Sequence, residues 1–158
     1  MRIVKYKTKL NNEGIVTLEK ESSTNNPHVH RILDTPEKMH RFARDGLKIH
    51  EMSEEYAYLI CMTGTLKFTS VFEISHGTVN ATIVNAREVY QKALLANAVA
   101  VAVAHNHPSG NVEPSKEDIL LTKRLYEAGN LLNVYFTDHI IVGRGDHDYC
   151  SLKQKGLF

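Results

Sequence analysis

Residues 98–104 read AVAVAVA and run without a break into residues 105–118, HNHPSGNVEPSKED. Seven consecutive apolar residues bounded by a turn fit a central strand buried on both faces. Pro108, Gly110 and Pro114 then turn the chain back on itself, and Ser115 has the character of a helix N-cap. The loop between strand and helix carries the chemistry. His105 and His107 stand two apart at the strand end, so both rings project to one side. Paired imidazoles suit a borderline-soft cation such as zinc. Asp118 lies in the first turn of the helix, from where its carboxylate can point back toward the strand end. Two histidines and one carboxylate leave a fourth position open, which is the layout of catalytic rather than structural zinc.

Each part also has a plainer reading. A His-x-His pair can be an ordinary polar strand end, and Ser115 with Asp118 forms a helix cap with an acidic third residue whether or not a metal is present. The two readings are compatible, because one helix start can fix both side chains. The apolar strand before the loop and the helix after it favour a metal site.

Strand and helix signals alternate outward from this segment. Residues 2–10 and 14–19 read as a short hairpin about Asn11-Asn12, and residues 21–27, ESSTNNP, as a loop. Thr35-Pro36 is an N-cap followed by proline at the first helical position, and the helix is expected to run to about Met52. Residues 56–62 and 66–74 are strand candidates around Gly64, and a helix is expected over about 85–97. The helix after the histidine loop is expected over 116–129, with Gly129-Asn130 as its stop. Residues 134–142, which carry Asp138 and His139, form another strand candidate, and 149–158 a short strand and tail. The class is therefore α/β or α+β, a mixed sheet covered by helices.

A chain of 158 residues fits one domain. Its 42% apolar and 23% charged residues mark an ordinary globular protein. A net charge of +1 gives no whole-chain basic field of the kind nucleic-acid binders show. Lys5, Lys7 and Lys9 alternate along the extended N-terminus and read as a solvated strand face. Two cysteines far apart, Cys61 and Cys150, suit a reducing compartment. With neither a signal-peptide pattern nor a run of ~20 apolar residues, the expected location is the cytoplasm.

The pattern His-x-His-Pro-x6-Ser-x2-Asp, filled by His105, His107, Pro108, Ser115 and Asp118, resembles the JAMM (MPN-plus) metalloprotease motif. HNHPSG is the form typical of RadC-like bacterial proteins, and the likeness extends over about residues 55–158 through GTVNATIVNAREVYQKAL, LTKRLYEAG and TDHIIVG. The resemblance implies a JAB/MPN-like mixed sheet flanked by helices, with cytidine-deaminase-like layering. It also implies one Zn2+ per chain on His105, His107 and Asp118, and a glutamate just before the first strand of the domain that hydrogen-bonds the zinc-bound water. Glu55, followed by Tyr56, matches that glutamate, and its neighbour Glu54 stays open as the alternative. The chain thus divides into a 1–53 extension and a 54–158 RadC-type domain. In two respects it departs from the family: residues 1–53 stand where relatives have a helix-hairpin-helix-like region, and Asn85-Ala86 stands where they commonly have His-Pro.

The function implied is zinc-dependent cleavage of an amide or isopeptide bond in a peptide or protein substrate. Glu55 would be the general base, and the Ser115 hydroxyl would hydrogen-bond the tetrahedral oxyanion. A zinc deaminase would need His-x-Glu with Pro-Cys-x-x-Cys, which the sequence lacks. The string His-Asn-His does not make an HNH nuclease, whose residues are dispersed. The alternative is a DNA-associated repair or mobile-element module with a non-catalytic zinc site, suggested by the RadC name alone.

Overall fold

A computed structural model describes residues 1–77 and 84–158; residues 78–83, most of the quoted GTVNATIV, lie outside the described residues. Strands β1 (Arg2–Leu10), β2 (Val16–Asn25), β3 (Glu55–Met62), β4 (Phe68–Gly77), β5 (Ala100–Asn106), β6 (Tyr135–Val142) and β7 (Tyr149–Ser151) form one mixed sheet in the order β2-β1-β4-β3-β5-β6-β7. Helices α1 (Pro36–Arg41), α2 (Ala86–Leu95) and α3 (Lys116–Leu132) flank it. The mixed sheet covered by helices is the fold class read from the sequence. Among the described residues, no helix is long and apolar enough to cross a membrane.

The AVAVAVA run explains the layering. Ala100, Ala102 and Ala104 face a core built with Tyr58, Ile60, Phe42 and Ile49, where small side chains make room for the large rings of the α1 side. Val101 and Val103 face the opposite core, with Leu59, Cys61, Tyr90, Leu125 and Phe136 beneath α2 and α3. His105 follows Val103 on that second face. The site therefore sits where β5 ends under the N-terminus of α3.

Three expectations need correction. The segment 21–27 is not wholly loop, since β2 continues to Asn25 and pairs with β1 back to Arg2. It is an edge strand with exposed side chains, so polar residues cost it nothing and polarity alone misreads it. The helix from Pro36 does not reach Met52. After Arg41 it becomes a π turn over Phe42–Gly46, Lys48 adopts a left-handed backbone (φ 58°), and a 3₁₀ turn covers Ile49–Glu51. Gly46, a poor helix former, packs so closely on Ile3 that a Cβ would lie 2.9 Å from its Cδ1. Finally, α3 does not stop at Gly129-Asn130 but ends at Leu132, with Asn133 left-handed at the cap. Gly129 serves close packing instead, because a Cβ there would lie 2.5 Å from the Tyr90 hydroxyl.

Candidate metal centre

The register of β3 on β5 assembles the site. The strands are antiparallel with Ala57 opposite His105, so Glu55, two residues earlier on the same face, lies where the chain leaves β5 at His107. Glu55, His105, His107 and Asp118 offer ligand atoms that all lie within 4.8 Å of one another. His105 Nε2 is 3.0 Å from His107 Nε2 and 3.4 Å from Asp118 Oδ1, and His107 Nε2 is 3.6 Å from Asp118 Oδ2. His105 is 2% exposed, while Glu55 is half-buried. Glu54, by contrast, is exposed and its carboxylate pairs with His76 Nε2, outside the cluster.

Local sequence fixes each group. Gly110, with φ at +84°, closes the turn after the histidines, and its N–H donates to the His107 carbonyl at 2.8 Å. His107 Nδ1 donates to the Asn111 carbonyl at 2.7 Å. A carbonyl only accepts, so in the neutral ring the proton sits on Nδ1 and Nε2 presents a lone pair to the cluster. Ser115 and Asp118 form a reciprocal capping box. The Ser115 hydroxyl accepts from the Asp118 N–H at 3.1 Å and donates to Asp118 Oδ2 at 2.6 Å, and the Ser115 N–H reaches the same oxygen at 2.8 Å. Oδ2 is thus held by two donors and Oδ1 is turned to His105. The helix cap and the carboxylate of the cluster are one structure.

The electrostatics follow. Burial opposes ionisation of Asp118, but hydrogen bonds and charge from His107, His105 and Ser115 outweigh it and hold the carboxyl far below its usual range. The Asp118 carboxylate, which would accept from the protonated ring, raises His107, whereas burial and then His139 push His105 well down. Two ring nitrogens and a carboxylate oxygen converging from largely buried side chains make a donor set suited to zinc.

Three polar residues that sequence reading did not assign also belong to the site. Asn106 is buried, accepts from the Tyr56 N–H at 2.8 Å and donates to the Glu54 carbonyl at 2.9 Å. His139 Nε2 lies 2.8 Å from His105 Nδ1, and His139 Nδ1 lies 2.6 Å from the Thr122 hydroxyl. Burial holds His139 down at about 4. The available signal is a run of three polar residues, Thr137, Asp138 and His139, in the middle of a strand whose ends are apolar.

A mixed sheet with two histidines, an aspartate and a glutamate converging at the strand–helix loop defines a metal-dependent hydrolase type of fold. Residues 33–157 match the family model of the RadC-like JAB domain, and the chain belongs to that family. It is 38% identical over 110 residues to a UPF0758 protein of Clostridium acetobutylicum, covering 70% of this chain and 47% of that protein. One from Methanosarcina barkeri is 39% identical over 110 residues, with the same coverage of 70% and 47%. A third, from Listeria welshimeri, is 51% identical over 82 residues, 52% of this chain and 36% of its own length. The chain spans about half the length of the first two relatives and about a third of the other.

Proposed function

We propose that this chain is a zinc-dependent hydrolase of the JAMM type that cleaves an amide bond, in peptide or isopeptide linkage. The observation that carries the reading is the Glu55 carboxylate set among His105, His107 and Asp118, with ligand atoms within 4.8 Å. In this reading His105, His107 and Asp118 hold one zinc ion. Bound there, zinc supplies Lewis acidity and a water acidic enough to react near neutral pH.

The chain's own residues do the rest. Glu55 takes the proton of the attacking water on a carboxylate oxygen and returns it to the leaving amine nitrogen. Ser115 holds Asp118 Oδ2 in the resting state and turns its hydroxyl toward the oxyanion as the carbonyl becomes tetrahedral. Residues 54–158 carry the site, and residues 1–53 are an extension whose Ile3, Leu33, Phe42 and Ile49 join the core with Tyr58 and Ile60. The cysteines, both free and buried, support a reducing, cytoplasmic setting.

The DNA-module alternative gains nothing from the lysine row of β1. Lys5 sits 2.8 Å from Glu73, and Lys7 and Lys9 lie 3.8 and 3.7 Å from Glu19, so each has a carboxylate at hand. The test of the proposal is an unbiased peptide and isopeptide cleavage screen with zinc-loaded protein. Cleavage that requires zinc and vanishes in Glu55→Gln supports it. Cleavage that persists after chelation contradicts it.

A further inference from the structure

We propose that His139 and Thr122 are positioning residues of this site: the chain Thr122–His139–His105 holds His105 in the tautomer that presents an unprotonated Nε2 to the metal. The inference rests on the zinc reading above and extends it to two residues outside the ligand set.

The placement of His139 depends on an irregularity in β6. Val101 pairs with Phe136 and Ala102 with Asp138, so one extra residue is inserted at Thr137. Phe136 packs into the core beneath α2 and α3. Strict alternation from Phe136 would send residue 138 to that face and residue 139 away from it. The inserted residue reverses the alternation, and His139 is set beside His105 and Thr122 instead. His139 is 1% exposed. A histidine shut into a core and re-aimed by a bulge is an expensive way to fill space unless its two nitrogens have work to do.

Counting protons gives that work. The Thr122 hydroxyl lies 2.6 Å from the Asp118 backbone carbonyl and has a single proton. Turned elsewhere, it would leave two acceptor oxygens facing each other at that distance, so it donates to the carbonyl. The hydroxyl oxygen then accepts from His139 Nδ1, which carries the ring proton of that histidine. His139 Nε2 is therefore a lone pair, and the 2.8 Å contact to His105 requires the proton on His105 Nδ1. His105 Nε2 is left bare, facing His107 Nε2 at 3.0 Å and Asp118 Oδ1 at 3.4 Å. The reverse order would put a hydrogen on His105 Nε2 and close the position to a cation. His107 reaches the same state through the Asn111 carbonyl. The two histidines thus have different partners for one purpose, and only that of His105 is itself a side chain fixed by another element.

The test uses the full chain, read by zinc competition against a chromophoric chelator, by the visible spectrum of the cobalt-loaded protein and by thermal unfolding of the metal-free protein. His139→Leu is expected to weaken zinc binding about 10–100-fold. His139→Gln, whose amide oxygen can accept from His105 Nδ1–H, should recover most of it. Thr122→Val should lose roughly 3–10-fold, a fraction of the usual cost of an outer partner, and Thr122→Ser should restore it. The cobalt spectrum should shift in His139→Leu and return toward wild type in His139→Gln. A folded His139→Leu protein with wild-type affinity and spectrum overturns the inference while leaving the zinc reading intact. Should His139→Leu not fold, equal affinities in Thr122→Val and wild type overturn it. A wild type that takes up no zinc overturns both.

Discussion

Asn106 pairs with both peptide groups that flank Glu55, its Oδ1 accepting from the Tyr56 N–H and its Nδ2 donating to the Glu54 carbonyl. The side chain stands in for a strand partner just beyond the last paired residues of β3 and β5, Ala57 and His105. It ties the backbone of the glutamate to the residue between the two histidines. Asn106→Ala removes both bonds and lets the start of β3 drift. The expected result is retained zinc with kcat reduced by about 10²-fold, since a shift of about 1 Å at a reacting group has that effect. Unchanged kcat would remove Asn106 from the site.

Glu55→Gln preserves shape and removes the base. Zinc stoichiometry should hold while the rate falls by roughly 10²–10⁴. A Gln variant as active as wild type would transfer the role elsewhere. Glu54 is poorly placed to take it, being exposed and paired with His76. Loss of zinc together with activity would make Glu55 a ligand.

Ser115→Ala removes a hydroxyl that caps α3 and donates to Asp118 Oδ2. Loss of the cap should cost about 1 kcal/mol of stability, seen as an earlier urea midpoint. Loss of the oxyanion contact should lower kcat with little change in KM. A stability loss with full kcat would leave Ser115 a capping residue only.

Stability should fall in mild acid. His40 is 2% exposed, stacks on Tyr149 with ring centroids 4.6 Å apart, and is held down at about 4 by burial and then by the Arg44 charge. The unfolded ring titrates near about 6.5. Between those values the unfolded chain binds a proton that the fold refuses, so the stability present above about 6.5 is lost as pH drops toward 4. Each such histidine contributes a slope of up to about 1.4 kcal/mol per pH unit. His139, also held at about 4, acts in the same direction. For metal-free protein, His40→Phe should keep the stack and remove one histidine's share of the slope between pH 6.5 and 4.5. An identical slope in the variant would mean that His40 is protonated in the fold.

The parts of this protein visible in its sequence are those in which local pattern and tertiary role coincide. The AVAVAVA run must be a buried strand, and Ser115 and Asp118 must start a helix, so the loop between them was legible together with its ligands. Glu55 needed the resemblance to be picked out, because a lone glutamate at a strand start carries no signature. Asn106 and His139 were not assigned because their partners are remote: Asn106 bonds across 50 residues to Tyr56, and His139 depends on a register shift that no periodicity reveals. The polar half of β2 looks like loop in the sequence for the converse reason. Its partner is backbone, and backbone pairing leaves no trace in side-chain composition.

Elemental analysis of the full chain, reconstituted with zinc and exchanged into zinc-free buffer, tests the site most directly. About one zinc per chain is expected for wild type. His105→Ala should hold far less, and alanine at the exposed His28 or His30 should change nothing. Wild-type protein that is folded and zinc-free after reconstitution would contradict the account.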